Sequence, residues 1–342
     1  MLKLTTSGVL YIIGEHSHNG TPTDMYKVGI VRDNDRSRSV DERLREHQTG
    51  NPRELFIAHT EQTPLVERIE TLIHGQHATQ RVGGEWFHLP GTGLNNLIAT
   101  AATHIAAANT VTPILHQAND LAATPSNGQT IPASSEHLAL HNHYINVRAQ
   151  LSACQTAINH LITQLLTRQH TEQPRRPWVH VDVKAARRTF DKKAFEAAHP
   201  DLYQQYVTEK ESFTKAFRPS TKGTATPLAA AHPTLADITA TATNSHADTH
   251  DGDTLHRIYL AVLEQQAPLL WAQDQIDTTM RVACADNDAI SDICTWKRNT
   301  VTRPELDTDA LKTEHPDLFE QFVQTGEPTT AHTATKDLNY RQ

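Results

Sequence analysis

An apolar run stands at each end of the stretch Leu10-Tyr-Ile-Ile-Gly-Glu-His-Ser-His-Asn-Gly-Thr-Pro-Thr-Asp-Met-Tyr-Lys-Val-Gly-Ile30, and a polar loop lies between the two runs. The loop contains Asn19-Gly20, a pair that favours chain reversal. Short apolar runs bounded by turn residues are typical of β-strands. The stretch therefore predicts two strands, over Val9–Ile13 and Tyr26–Val31, that open a mixed α/β domain.

The residues after this stretch extend the prediction to an α+β fold. Apolar residues recur at helical spacing in some segments and form strand-like runs in others. The predicted elements are a helix over Val40–His47, a strand over Glu54–Thr60, a helix over Leu65–Thr79, a turn and closing strand over Gly83–Leu89, and a helix from about Leu94 to Ala108.

Length and charge limit the classes of protein. A chain of 342 residues is long enough for two or three domains with at least one sizeable core. The formal net charge of -8 argues against a wholesale nucleic-acid coat protein, although a local basic surface is still compatible with it. Three cysteines without a Cys-x-x-Cys spacing indicate neither a disulfide framework nor a Cys-based zinc site. Because we find neither a signal segment nor an apolar run long enough to span a bilayer, we expect a cytoplasmic protein without a membrane partner.

An internal repeat occupies the rest of the chain. The segment Ala194–Val207 matches Ala310–Val323, 116 positions further on, around a shared His-Pro-Asp-Leu. Upstream, Leu140–Tyr144 matches Leu255–Tyr259 at an offset of 115. The sequence therefore predicts two copies of one helical unit.

Each copy begins with a long helix whose apolar residues alternate at steps of four and three. In the first copy these residues are Leu140, Tyr144, Val147, Leu151, Cys154, Ile158, Leu161 and Leu165. Such spacing is typical of a coiled-coil seam, which must be buried against its own second copy or against another subunit. The second case predicts a homodimer through the 140–165 heptad seam. In the second copy, Gln266 and Gln273 interrupt a similar pattern, and Pro268 predicts a kink.

These patterns predict six segments. They are a first domain over 1–110, a linker over 111–135, helical copy 1 over 136–218, a Thr/Ala-rich linker over 219–250, helical copy 2 over 251–325 and a tail over 326–342.

The first domain contains the residue types that a phosphodiester-cleaving site needs. Such a site uses a cation for the charge on phosphorus, a carboxylate for a divalent metal and a group that helps to deprotonate water. Arg43 and His47 are four residues apart on one predicted helix and share a face, and Glu70 has the same spacing to His74 on the next helix.

The order of several motifs resembles the GIY-YIG nuclease superfamily over residues 1–95. These motifs are Leu10-Tyr11-Ile12, Lys27-Val28-Gly29, the helix and turn over Asp41–Pro52 with its Gln-Thr-Gly-Asn-Pro, the helix over Val66–His74 and Gly84-Glu85-Trp86-Phe87. The last two resemble its phage and "meiotically up-regulated gene" branch. The resemblance implies a small three-stranded antiparallel sheet flanked by helices.

The resemblance also implies roles for named residues. Tyr11 would help to position and activate water, Arg43 would stabilise charge on the scissile phosphate, and His47 would assist. Glu70 would bind Mg²⁺ or Mn²⁺ as the single carboxylate ligand. The alternatives are a surface Arg43 paired with Glu46, and Glu67 in place of Glu70.

The second tyrosine is where this sequence departs from the family pattern. Lys27 occupies the slot of that tyrosine, and Tyr26 stands one residue earlier. Neighbouring strand residues point to opposite faces of a sheet. We favour Lys27 as a cation that faces phosphate and Tyr26 as a packing residue, and keep both as catalytic candidates.

A basic stretch in the first helical copy is a second candidate for nucleic-acid binding. Its candidates are Arg175, Arg176, Lys184, Arg187 and Arg188, followed by Lys192 and Lys193, with Trp178 inside the stretch. Basic residues with a stacking aromatic can follow a nucleic-acid backbone, but a solvated linker is an equal alternative. The second copy keeps Trp296 and Arg298 in the comparable region.

The sequence therefore predicts a divalent-metal-dependent endonuclease that hydrolyses phosphodiester bonds in DNA and needs no small-molecule cofactor. Two other functions stay open. One is a nucleic-acid-binding protein that keeps this fold without cleavage, and the other is a coiled-coil assembly protein.

Overall fold

The structure is a computed structural model that describes residues 6–34 and 38–338. Residues 339–342 of the predicted tail lie outside the described residues. The α+β class predicted from the sequence is confirmed. Within the described part of the chain, no helix is long and apolar enough to cross a membrane.

A five-stranded antiparallel sheet forms the centre of the first domain. Its strands are β1 (Gly8–His16), β2 (Pro22–Arg32), β3 (Leu55–Thr63), β4 (Arg81–Gly83) and β5 (Trp86–His88), in the order β3-β1-β2-β5-β4. The predicted count of three strands is wrong, because Met25–Lys27 at the free edge of β2 pairs with Trp86–His88. Strands β4 and β5 form a hairpin that turns at Gly84, whose φ of 58° suits glycine.

Three helices cover the two faces of this sheet. They are α1 (Val40–Gln48), α2 (Val66–Gln76) and α3 (Gly93–Ala123). A capping box starts α1, in which Ser39 and Glu42 satisfy each other's backbone N–H groups. The helix α3 continues beyond the predicted end at Ala108 because apolar residues keep the helical spacing and are buried as far as Ala122. The predicted boundary at 110/111 and the first part of the 111–135 linker therefore fall inside a helix.

Alternating residues of the first two strands face opposite helices. Leu10, Ile12 and Val28 pack in an apolar cluster with α2 and α3. Tyr11 and Ile13 belong to a smaller cluster on the α1 side. This alternation sends one set of side chains into the core and the other set towards the candidate site.

The long helices of the two copies pack against each other within the chain. They are α4 (Ser135–Glu172) and α9 (Gly252–Cys284), and their seam residues share one buried cluster. The helix α9 continues through Pro268, where the sequence predicted a kink. Because Val147, Leu161 and Leu165 are already buried in this contact, the predicted homodimer through the 140–165 seam has no support.

The sequence predicted an all-α repeat region. This prediction is wrong, because strands precede and follow the short helices. The further helices are α5 (Lys192–Ala198), α6 (Pro200–Tyr206), α7 (Leu228–Ala231), α8 (Pro233–Thr243), α10 (Thr308–Glu314) and α11 (Pro316–Gln321). The further strands are β6 (Thr130–Ile131), β7 (Val179–Lys184), β8 (Arg188–Phe190), β9 (Val207–Thr214), β10 (Arg218–Pro219), β11 (Ala289–Ile290), β12 (Cys294–Thr295), β13 (Asn299–Leu306), β14 (Val323–Thr325) and β15 (Thr329–Ala334). The predicted 219–250 linker contains α8, whose Leu235 and Ala242 join the cluster of α4 and α9.

These strands pair reciprocally between the two copies. Strands β7, β8, β9 and β10 of the first copy pair with β15, β14, β13 and β12 of the second. The short helices carry matching bonds, because Asp191 N donates to Phe322 O and Asp307 N donates to Tyr206 O, both at 2.8 Å. Each copy thus completes the sheets of the other, and the shared His-Pro-Asp-Leu starts one short helix in each.

The first domain packs on α9 and not on the equivalent face of α4. Trp271 enters the core of the first domain, and Glu264 accepts hydrogen bonds from Thr79. The positions 115 residues earlier are Thr156 and Ala149, and both are exposed. Because copy 1 has different residues at these contact positions, only α9 of the two long helices offers the first domain this docking face.

Candidate functional site

Tyr11 stands at the centre of the sheet face under α1. It is fully buried and pairs in register with Gly29 of β2. A Cβ atom at position 29 would lie 2.5 Å from the Tyr11 hydroxyl oxygen. The glycine therefore provides the space in which this hydroxyl lies.

His47 and Arg43 approach the Tyr11 hydroxyl from α1. The Tyr11 hydroxyl oxygen is 3.2 Å from His47 Nε2. Burial raises the pKa of Tyr11, and the neighbouring Arg43 guanidinium opposes that rise. Burial and the charges of Lys27 and Arg43 lower the pKa of His47. His47 is therefore neutral near pH 7 and able to accept a proton.

Arg43 is held by its own helix. Its Nη1 donates to Glu46 Oε2 at 2.6 Å, which is the pairing that the sequence offered as an alternative. Its Nε is buried and has no hydrogen-bond partner in the described residues. The side chain therefore keeps donor capacity next to Tyr11.

Lys27 lies on the same face as Tyr11, and its ammonium group pairs with the Glu85 carboxylate. Burial raises the pKa of Glu85, but the bond and charge of Lys27, with His74 and His47, outweigh burial and lower it. The sequence analysis did not identify Glu85 as a site residue, although Glu85 lies in the motif Gly84-Glu85-Trp86-Phe87. The available signal was the need of a buried lysine for an opposite charge.

Glu70 carries the most strongly shifted carboxyl of this cluster. Burial first and the charge of Glu85 second raise the pKa of Glu70 to about 7, while Lys27 and Arg32 oppose the rise. The neighbouring Glu67 accepts a hydrogen bond of 2.6 Å from Arg32 Nε. Glu67 is thus engaged elsewhere, and Glu70 is the carboxylate that shares the charges of the site.

His74 and His77 contribute packing rather than metal ligands. His74 Nε2 lies 3.3 Å from the Val28 carbonyl oxygen, its ring contacts Phe87, and burial lowers its pKa to about 4. His77 Nδ1 lies 2.8 Å from Gln80 Oε1. Across residues 6–34 and 38–338, no group of three or more His, Cys, Asp or Glu side chains is placed to hold a metal ion. In the described residues, Glu70, His74 and His77 therefore do not form a metal-binding group.

A bound Mg²⁺ or Mn²⁺ would have one candidate protein ligand in this cluster, the Glu70 carboxylate. Mg²⁺ keeps several waters and binds proteins through one or two carboxylates plus substrate phosphates. Glu70 supplies one such carboxylate, and the charge of Glu85 acts on it in the same cluster. Two carboxylates that repel each other are stabilised by a cation.

Tyr26 lies on the other side of the sheet from Lys27. It is buried in the apolar cluster of α2 and α3, opposite Phe87 in register. Trp86 lies on the α1 side, packed against the cluster of Tyr11. The structure thus brings Tyr11, Lys27 and Glu85 to one face and leaves Tyr26 out.

The end of the described chain contacts the turn that carries Glu85. Leu338 N donates to Arg81 O at 2.7 Å, and Gly84 N donates to Asp337 Oδ2 at 3.3 Å. Thr335 of the same segment accepts a hydrogen bond from the imidazole of His256 in α9. The segment after β15, bonded to α9 through His256, therefore contacts the hairpin that carries Glu85.

The predicted basic stretch lies in the first helical copy and not in this cluster. Trp178 is buried and its Nε1 donates to Asp253, so it presents no stacking face. Arg188 pairs with Glu320. In the second copy, Trp296 is buried and Arg298 donates to two backbone carbonyls. Exposed residues of the stretch are Arg175, Lys184, Arg187, Arg188, Lys192 and Lys193, whereas Arg176 is half-buried.

Comparison with known proteins gives a match over the first domain. Residues 8–103 match the family model of the T5orf172 domain, which is found in nuclease-related phage proteins. No curated protein and no solved structure matches the chain. The match spans the five-stranded sheet and the first part of α3, and it suggests a nuclease or DNA-binding role with DNA as the partner.

Proposed function

We propose that the first domain is a GIY-YIG-type endonuclease that hydrolyses phosphodiester bonds in DNA with Mg²⁺ or Mn²⁺. The observation that carries this proposal is the 3.2 Å contact between the Tyr11 hydroxyl oxygen and His47 Nε2, beside Arg43 and on the sheet face of Lys27. The charge of Glu70, from α2, also acts on Tyr11. These residues come from two strands and two helices, and their charges shift one another's pKa values. A packing role does not explain this group of ionisable side chains, because burial of polar groups is unfavourable unless they have partners.

The chain's own groups divide the chemistry between them. Neutral His47 accepts a proton through the Tyr11 hydroxyl, which orients the attacking water. Arg43 donates hydrogen bonds to the phosphate oxygens as negative charge grows on them. Glu70 would hold the divalent cation, which neutralises the phosphate and the leaving oxygen when bound. Lys27 supplies a second positive charge on the same face.

A plasmid-cleavage experiment tests the proposal. Purified protein is incubated with plasmid DNA and Mg²⁺ or Mn²⁺, and wild type is compared with Arg43→Ala and Glu70→Gln. We expect Arg43→Ala to lower the rate by about 10²–10³-fold, as loss of one donor to a developing oxyanion does. Arg45→Ala is the matched control, because Arg45 is exposed on the same helix.

The same experiment separates cleavage from binding. If the wild type retards plasmid in a gel but leaves it intact with either metal, the non-cleaving DNA-binding protein is the correct function. If Arg45→Ala loses as much activity as Arg43→Ala, the loss comes from general charge and not from the site.

A further inference from the structure

The ammonium group of Lys27 is covered by a carboxylate from a neighbouring strand. The Lys27 side chain is 7% exposed, whereas that of its partner Glu85 is 42% exposed. Glu85 thus lies between the ammonium group and solvent. An anion from outside meets Lys27 only after the carboxylate has moved.

Glu85 is attached so that its side chain can move while its backbone stays in place. Val28 N donates to Glu85 O at 3.0 Å, which anchors the backbone of position 85 to β2. Gly83 and Gly84 precede it, and both have open space where a Cβ would stand. A rotation about the Glu85 side-chain bonds therefore releases Lys27 without breaking a strand pair.

The surroundings of Lys27 distinguish this pair from an ion pair that only supports the fold. Tyr11 and its partner His47 lie on the same face, and the charge of Lys27 acts on His47 and on Glu70. A supporting pair needs no such neighbours. Lys27 is a cation inside the cluster that the proposed function uses, and Glu85 neutralises it there.

We propose that Glu85 is an exchangeable counter-ion that holds Lys27 in the free protein and gives it up to a phosphate of the bound DNA. This inference rests on the proposed function for the identity of the anion. Glu85 then sets the affinity of the free site for DNA, because each phosphate contact of Lys27 replaces a contact with Glu85. Removing the carboxylate makes Lys27 available before DNA arrives.

DNA affinity without metal measures this exchange. Binding of a fluorescent DNA duplex is followed by anisotropy in EDTA at several salt concentrations. We expect Glu85→Gln to bind roughly five- to tenfold more tightly at low salt, and the slope of log affinity against log salt to steepen by about 0.9 for one added phosphate contact. Glu305→Gln is the matched control, because it removes the same charge from the ion pair between Glu305 of β13 and Lys210 of β9.

A double-variant cycle assigns the effect to Lys27. In a Lys27→Gln background, Glu85→Gln should leave DNA affinity unchanged. Unchanged affinity of the single Glu85→Gln variant, or a gain that persists without Lys27, would overturn the inference. Should Glu85→Gln fail to fold, Glu85→Asp carries the test, because it retracts the carboxylate while keeping its charge. A smaller gain in affinity is then expected, and no gain overturns the inference.

The outcomes separate this inference from the proposed function. If the protein cleaves plasmid and Glu85→Gln does not change DNA affinity, only the counter-ion exchange is contradicted. If the wild type neither binds nor cleaves DNA, the proposed function is contradicted as well.

Discussion

The two faces of the five-stranded sheet are built from the same strands and serve different ends. Towards α2 and α3, Leu10, Ile12 and Val28 form a continuous apolar layer. Tyr11 and Lys27 alternate with these apolar residues along the strands, so they face α1 and lie among ionisable groups. The helix α1 itself has no fully buried residue. The larger apolar core therefore lies on one face, and the other face combines a small buried cluster with polar groups that packing alone would exclude.

Two tyrosine hydroxyls on opposite faces give the largest expected contrast. Tyr11→Phe removes the hydroxyl that meets His47, and we expect cleavage to slow by about 10²-fold, as for loss of a group in proton transfer. Tyr26→Phe removes a hydroxyl on the apolar side and should leave the rate within about twofold of wild type. Single-turnover cleavage of a labelled duplex measures both. Equal losses in the two variants would mean that the α1 face has no special role.

The pH dependence of cleavage sharpens the contrast through Glu70. Its pKa of about 7 means that the metal-binding carboxylate form is lost as pH falls through 7, so the rate should drop about tenfold per unit below it. Glu85→Gln removes a negative charge that raises this pKa and frees the opposing Lys27. The acid limb should therefore move to lower pH.

Single-turnover rates between pH 5.5 and 8.5 at a fixed Mn²⁺ concentration measure this limb. Glu305→Gln should leave it in place. A limb that stays at the same pH in Glu85→Gln would show that another group controls it.

The apolar face predicts the smallest effect, on stability. Ile12 is fully buried, so Ile12→Val should lower the free energy of unfolding by about 1 kcal/mol. The rate per folded molecule should not change, because Ile12 points away from Tyr11. Urea unfolding and single-turnover cleavage, measured on the same sample, check both parts. A loss of rate without a loss of stability would contradict the division between faces.

Patterns that depend on neighbours along the chain were predictable from the sequence. The strand that carries Tyr11, the helix start before Arg43 and the alternation of Tyr26 and Lys27 all follow from local spacing and strand geometry. A shared site of Tyr11, Arg43 and Glu70 could be predicted only through the family resemblance, because spacing along the chain does not fix distances between elements.

Pairings between distant segments were not predictable. Glu85 meets Lys27 only because β5 adds to the edge of β2, 58 positions further along the chain. The strands of the repeat region have partners in the other copy, so neither copy alone reveals them. Trp178 illustrates the opposite error, because a basic neighbourhood suggested stacking for a side chain that the core buries.

The pairing of strands between the copies gives the repeat region an approximate two-fold character, yet the first domain packs on α9 and not on the equivalent face of α4. A palindromic duplex would therefore meet two similar halves of this region and a single Arg43. Under the proposed function, one binding event nicks one strand. Breaking both strands requires a second chain, or a second encounter in the reverse orientation.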